Sequence, residues 1–278
     1  MKGLVIKKNA NLFTVECDGQ HKELSPSGKT KAKGIFVGDI VEFDESITKV
    51  CARKNILIRP PMANLDKLFI VIAPSPKPDF VLVDKILIYC HLNDIEPVLV
   101  INKIDLADED FIKQVQEDYS AYKIILLSAK CGNVDNLEKE IDGVCAMAGQ
   151  SAVGKSSCIN AIFKNEGFTQ VGDLSSKIER GKQTTRLVSL YKVGNGYLAD
   201  TAGFSLLDLA FVSDIQPREL ASYYPDFLSG REKCKYRSCL HEGGECGVRA
   251  EAEEGKISKR RYQNYLKILQ ELKNSKKY

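Results

Sequence analysis

The 278-residue sequence predicts a multidomain chain: an N-terminal all-β barrel, a central α/β phosphate-loop domain and a C-terminal α-helical module. Three observations carry this. Short runs of β-forming residues fill the stretch up to about residue 60, apolar strands alternate with amphipathic helices from Lys67, and beyond Leu206 the alternation fades into helical and loop-rich sequence. These changes of texture divide the chain into residues 1–62, 63–208 and 209–278.

In the first segment Leu4–Ile6, Leu12–Cys17, Ile35–Val37, Ile40–Phe43 and Lys49–Cys51 read as strands, separated by DGQ, SPSGK and VGD. The stretch ILIRPPMANLD marks a boundary, where Pro60 and Pro61 are expected to break any regular element. In the second segment LFIVIA, PVLVINK, KIILLSA and VCAMAG read as buried strands of a largely parallel sheet. VLVDKILIYCHL, EDFIKQVQEDY and VDNLEKEI read as the helices between them. A helix from about Gly154 to Phe163 follows, and then LVSLYKV and GYLAD pair across the turn Gly194-Asn195-Gly196. RRYQNYLKILQEL is the final helix.

Composition narrows the function classes. No run approaches the roughly 20 apolar residues of a membrane-spanning helix, so a soluble, cytoplasmic protein is expected. Cys17, Cys51, Cys90, Cys131, Cys145 and Cys158 are scattered singly and read as reduced thiols. The net charge of +3 is unevenly spread: Lys256 to Tyr278 carries eight Lys/Arg and one acid, and the first sixty residues carry eleven against seven. Basic ends around a non-basic middle suit an acidic polymer gripped at both ends, though ordinary solvated faces explain the charge equally well.

The most specific motif is Gly149-Gln150-Ser151-Ala152-Val153-Gly154-Lys155-Ser156, which fits G-x4-G-K-[ST] between an apolar run and a helical one. Such a loop turns backbone N–H groups and a helix N-terminus toward phosphate oxygens. Lys155 would neutralise the β- and γ-phosphates, and the Ser156 hydroxyl would ligate Mg²⁺. Asn102-Lys103-Ile104-Asp105 follows a strand, where the carboxylate of Asp105 can accept from the N1–H and exocyclic amine of guanine, a donor pair adenine lacks. Ser128-Ala129-Lys130, after KIILL, is similar to the short loop that supports guanine in GTPases. Asp200-Thr201-Ala202-Gly203 ends GYLAD, placing a carboxylate for Mg²⁺ and the Gly203 N–H for the γ-phosphate. Within Arg180–Arg186, either Thr184 or Thr185 is a candidate Mg²⁺ ligand in a first switch. Phe204 stands where the common GTPase pattern has a water-orienting Gln, so intrinsic hydrolysis is expected to be slow, with a partner or another residue completing the site.

Cys234, Cys239, His241 and Cys246 lie within thirteen residues and match a structural Cys3His zinc site with no open position. The neighbouring Lys233, Lys235, Arg237 and Arg249 favour RNA contact, and a solvated surface is the competing explanation.

In chain order the guanine-reading motif and its supporting loop precede the phosphate loop and both switches, the reverse of ordinary GTPases, which makes this a circularly permuted GTPase. With a β-barrel before it and a Cys3His segment after it, the whole chain closely resembles the small-ribosomal-subunit-dependent GTPase family known as RsgA or YjeQ. RPPMANLD, the GQSxVGKSSxIN run, RGKQTTR, YPDFL and GKISKRRYQNYL share in the resemblance. It implies an N-terminal OB-fold, a permuted GTPase domain and a C-terminal zinc domain, in a late-stage small-subunit assembly factor whose GTP hydrolysis the subunit stimulates. It also implies guanine binding by Asn102, Lys103 and Asp105 with support from Ser128 to Lys130, phosphate binding by Gly149 to Ser157, and one zinc ion on Cys234, Cys239, His241 and Cys246. The barrel and the basic terminal helix would grip ribosomal RNA, the protein would act as a monomer, and no membrane is involved. The order of motifs leads the second switch directly into the zinc domain, which gives nucleotide state a route to domain movement. Two departures stand out: Ala152 replaces the family's usual Gly, and the His241 to Cys246 interval is one residue short. A nucleotide-gated RNA-binding protein with another RNA target and incidental hydrolysis is the alternative reading, separated from the first by whether small subunits change the hydrolysis rate. A structural zinc protein with a vestigial loop would bind no nucleotide.

Overall fold

The computed structural model describes residues 1–28, 34–58, 61–165, 188–200 and 215–275. The chain opens with β1 (Lys2–Asn9) and β2 (Leu12–Cys17), which pair antiparallel. β3 (Gln20–Leu24) follows through a two-residue turn in which Asp18 and Gly19 have φ of 51° and 76°. Positive φ at both central positions matches the right-handed twist of a hairpin. QHKEL has few β-formers and was not anticipated as a strand; register against β2, with only Leu24 buried, makes it one. β4 (Ile40–Phe43) pairs with β1 and with β5 (Ile47–Val50). Val5, Phe13, Val15, Val41, Phe43 and Ile47 fill the core these strands enclose.

Two expectations for this region need correction. Ile35–Val37 forms no strand: Val37 makes a single bridge to Met62, and Phe36 N–H donates to the Asp39 carboxylate instead of to a ladder. Gly38 follows at φ 90°, where a side chain would meet the Ala63 carbonyl at 2.0 Å. Nor does Pro61 break the chain. It starts β7 (Pro61–Ala63), which pairs with β6 (Ile56–Ile58), and the first residue of a strand is a position that tolerates the missing N–H.

β8 (Lys67–Ile72), β9 (Glu96–Ile101), β10 (Lys123–Leu126) and β11 (Val144–Ala148) form a parallel sheet with β13 (Gly196–Asp200), and β12 (Ser189–Val193) runs antiparallel beside β13. The strand order is β10-β9-β8-β11-β13-β12, continuing into β1-β2-β3. The helices are α1 (Phe80–Leu92), α2 (Glu109–Asp118), the single turn α3 (Asp135–Glu138) and α4 (Lys155–Asn165). VDNLEKEI yields only that one turn. β8 is buried on both faces: Leu68, Ile70 and Ile72 pack with Ile86 and Leu87 of α1, while Phe69 and Val71 pack with Ile159 and Ile162 of α4. This two-residue alternation between two cores is why the strand reads as a continuous apolar run.

The C-terminal part has α5 (Leu228–Glu232), α6 (Gly247–Glu253) and α7 (Lys259–Ser275). Its core, including Tyr224, Phe227, Val248, Tyr265 and Leu269, also takes in Ile88 of α1. Arg261 of α7 is 1% exposed and forms ion pairs with the buried Asp84 of α1 and, at 2.8 Å, with Asp226. Asn264 Nδ2 donates to the second oxygen of Asp84 at 2.8 Å. Among the described residues no helix is long and apolar enough to cross a membrane.

Candidate functional site

The loops after β8, β9, β10 and β11 and the last residue of β13 share the C-terminal edge of the parallel strands, where α/β sheets receive ligands. An open cleft of ≈ 410 Å³ lies there, lined by Lys103, Ser151, Ala152, Gly154, Lys155, Ser156 and Ser157. The glycines of the phosphate loop are required by close approach. A Cβ on Gly149, at φ 132°, would sit 2.4 Å from the Val71 carbonyl oxygen, and one on Gly154, at φ 99°, would sit 2.2 Å from Asn102 Nδ2.

That second contact is the centre of the site. Asn102, 1% exposed, donates from Nδ2 to the Val153 carbonyl at 2.9 Å and accepts the Ala129 N–H on Oδ1 at 3.1 Å. One amide therefore ties the phosphate loop to the Ser128–Lys130 loop across 27 and 51 residues of sequence. Lys103, at φ 60°, reaches the carbonyls of Ser75 and Ala152 with Nζ at 2.8 Å each. Ser128 Oγ donates to Asp105 Oδ1 at 2.6 Å, which orients an exposed carboxylate. Lys130 is exposed beside it.

Lys155 Nζ donates to the carbonyls of Gly149 and Gln150 at 2.8 and 2.7 Å, and burial holds its ammonium below the ordinary lysine value. Anionic oxygens at the loop would counter that burial. The Gln150 side chain accepts the Asp79 N–H at 3.1 Å, joining the loop to the start of α1. Ala152 holds φ 63°, a left-handed conformation that costs a side-chain-bearing residue about 1–2 kcal/mol. The Lys103 bond to its carbonyl braces it there.

Ser156 lies in the first turn of α4, and Asp200 is the last residue of β13. Burial holds the half-buried Asp200 carboxyl above the usual range. A hydroxyl at the phosphate loop and a carboxylate at the end of β13, the strand beside β11, are hard oxygen donors of the kind Mg²⁺ takes, and a cation would offset the cost of burying that charge. Thr184, Thr185, Gly203 and Phe204 lie outside the described residues.

The second cluster lies further along the chain, within thirteen residues of sequence. The ligand atoms of Cys234, Cys239, His241 and Cys246 all lie within 4.8 Å of one another. Cys234 Sγ is 3.8 Å from Cys246 Sγ, and His241 Nδ1 is 3.4 and 3.3 Å from those two sulfurs. Zn–S bonds of about 2.3 Å in a tetrahedron place sulfurs about 3.8 Å apart, so the spacing fits a metal-filled cluster. Burial and then Arg231 lower the His241 pKa to about 4, which leaves a neutral ring with a lone pair to donate. Burial opposes ionisation of Cys234, but hydrogen bonds from the N–H groups of Val248 and Gly247 and from Cys246 and Cys239 together hold the thiol below its ordinary value. The short His241–Cys246 interval still closes the cluster, with Gly244 at φ 70° turning the chain.

Two features of the site were absent from the sequence reading. The segment from Ser75 to Asp79 braces both Lys103 and Gln150, and its position just after a buried parallel strand was the available signal. The second concerns the basic terminal helix expected to grip ribosomal RNA, whose cations are not all available on its surface. Arg261 is instead buried, Arg260 pairs with Asp118 and Lys273 with Glu242, which leaves Lys259 and Lys267 as the exposed cations of α7.

The RsgA GTPase family model matches residues 50–210. A Thermotoga maritima protein named small ribosomal subunit biogenesis GTPase RsgA is 38% identical over 99% of this chain and 98% of its own length. A Geobacillus protein of the same name is 37% identical over 99% and 98%. The crystal structure of YjeQ from Thermotoga maritima superposes with a TM-score of 0.80 at 35% identity, covering 98% of each chain. That of YloQ, described as a circularly permuted GTPase, gives 0.78 at 30% identity over 98% of this chain and 95% of its own.

Proposed function

The chain belongs to the RsgA GTPase family and is a GTP hydrolase with permuted motifs, and we propose that it serves as a late assembly factor of the small ribosomal subunit, which stimulates its hydrolysis. The observation that carries the nucleotide reading is the Asn102 amide, which joins the phosphate loop and the Ser128–Lys130 loop into one rigid cleft. On that frame Asp105, oriented by Ser128, accepts from the guanine edge, and Lys103 covers the base side of the cleft. The N–H groups of the loop from Gly149 to Ser157 receive the phosphates, and Lys155 leaves its two carbonyl partners to neutralise the β- and γ-oxygens. Ser156 and Asp200, with Thr184 or Thr185, are the candidate Mg²⁺ holders, and the bound ion supplies charge neutralisation at the transferring phosphoryl group. Gly203 is the candidate sensor of the γ-phosphate.

Around this core we assign residues 1–62 to an OB-fold, 63–208 to the GTPase domain and 209–278 to a zinc domain held by Cys234, Cys239, His241 and Cys246. The names of the homologous proteins support the small subunit as partner. Ribosomal RNA is then the acidic polymer for the two outer units, and the cytoplasm the site of action. GTP turnover measured with and without purified small subunits tests the proposal: acceleration is expected, and a rate indifferent to subunits removes the assembly role. Guanine recognition is tested separately by Asp105→Asn, which should favour xanthine over guanine nucleotides because the exocyclic amine is replaced by a carbonyl.

A further inference from the structure

The barrel and the nucleotide-binding sheet meet at β1, and β1 belongs to both. Val5 packs in the barrel core, whereas Leu4 and Ile6 pack in the core of the sheet with Val188, Leu190 and Ala199. A register shift between Val5 and Lys7 interrupts the ladder from β1 to β2 at this point. Such a bulge bends a strand away from one partner, here toward the next. Lys7 then pairs with Ser189 of β12, and Ser189 pairs on its other side with Asp200 of β13. A single rung therefore runs from the barrel to the carboxylate read above as a magnesium holder. A side-chain bond reinforces it: the Tyr197 hydroxyl, three residues before Asp200, donates to the Glu16 carboxylate on β2. The Tyr197 ring also carries the Lys192 ammonium at 4.6 Å.

We propose that Tyr197 and Glu16 are positioning residues for Asp200, a latch through which the seating of the barrel on the sheet sets the affinity of the nucleotide site for magnesium. The inference rests on the reading of Asp200 as a magnesium holder. Its geometry makes the barrel more than an RNA grip, because a displacement of β1 or β2 bears on β13 at two points, near its start through the Tyr197–Glu16 bond and at Asp200 through the Lys7–Ser189 rung.

The test uses the full chain loaded with a slowly hydrolysed fluorescent GTP analogue, and the readout is the Mg²⁺ concentration that half-maximally slows analogue release. Tyr197→Phe and Glu16→Ala should each raise that midpoint about threefold to tenfold, the range expected for one hydrogen bond, with release in the absence of magnesium unchanged. Glu16→Gln keeps an acceptor oxygen and should stay within about twofold of the parent chain. The double variant Glu16→Ala/Tyr197→Phe should be no worse than either single one, because both remove the same bond. Variants that melt earlier yet keep the parent midpoint, or single effects that add, overturn the latch. Asp200→Asn separates the two layers. If it raises the midpoint while Tyr197→Phe does not, the latch alone is wrong; if it too leaves the midpoint unchanged, the magnesium reading falls and the latch with it.

Discussion

The two ends of the chain hold the nucleotide-binding sheet by different means. The C-terminal part is fastened to α1 by a buried ion cluster in which Arg261, Asp84, Asp226 and Asn264 satisfy one another. Around it, Lys85 pairs with Glu271 at 2.7 Å, Arg260 pairs with Asp118 at 2.6 Å, and Ile88 enters the C-terminal core. The N-terminal barrel is fastened by one strand rung, the Tyr197–Glu16 hydrogen bond, the buried Asn55 amide bonded to Leu65 and to the Asn93 carbonyl, the exposed Lys54–Asp66 pair and shared aliphatic side chains. The difference is one of what losing a contact costs. At the C-terminal seam removing either charge leaves its partner buried and unpaired, so that seam acts as a fixed joint. The polar groups of the barrel seam are neutral or partly exposed, so losing one costs less and that seam is the more yielding.

Stripping the metal from the Cys3His cluster is the severest challenge to the fixed joint. Structural zinc contributes roughly 10–16 kcal/mol of apparent binding free energy in small domains, and Cys246 belongs to the core that holds Ile88, with Cys234 and Cys239 packed against it. Chelation followed by metal analysis should therefore find about one zinc per chain released together with loss of the C-terminal transition in calorimetry. A chain that holds no zinc as purified would refute the assignment.

Next in size is Arg261→Ala. Removing one partner of a buried pair costs about 3–5 kcal/mol, or on the order of 10 °C in melting temperature for a chain of this size. Arg261→Met/Asp84→Asn should recover part of that loss, since the fully buried carboxylate is then removed and only Asp226, at 19% side-chain exposure, is left unpaired. A single variant that melts with the parent protein would erase the contrast between the seams. Tyr197→Phe probes the yielding seam and should cost about 1 kcal/mol in denaturant titration, well below the Arg261 effect. Equal costs would mean that the barrel is as firmly held as the C-terminal part.

The smallest effect concerns pH. His91 of α1 contacts the Tyr122 hydroxyl at 3.2 Å, and burial, with Arg261 nearby, lowers its pKa below the ordinary value. Folding thus favours the neutral ring: its contribution is present above the unfolded value of about 6.5 and is lost as pH falls through the lowered folded value. Melting curves between pH 7 and pH 5 should show a smaller acid-induced drop for His91→Gln than for the parent chain. An identical drop would place the acid sensitivity elsewhere.

Much of the nucleotide cleft was legible in the sequence because its parts are local. A phosphate loop needs glycine where φ is positive or a Cβ would collide, and Gly149 and Gly154 sit at such points. The permuted order of motifs could also be read directly, since order is a property of the chain. Strand propensity was a weaker guide: Ile35–Val37 has β-forming residues but is turned by Gly38 and the Asp39 carboxylate, while polar Gln20–Leu24 becomes a strand through its turn and its partner. What the sequence could not disclose is how the outer units attach. Glu16 and Tyr197 are 181 residues apart, and Asp84 and Arg261 are 177 apart. By charge alone Arg261 belonged to a basic RNA-facing helix, and only packing against α1 turned it inward. The sequence by itself determined the chemistry of each loop, because backbone geometry and ligand type are set within a few residues. Tertiary structure alone decided which seam is fixed and which is the more yielding, because that depends on whether packing leaves charged or neutral groups dry at each seam.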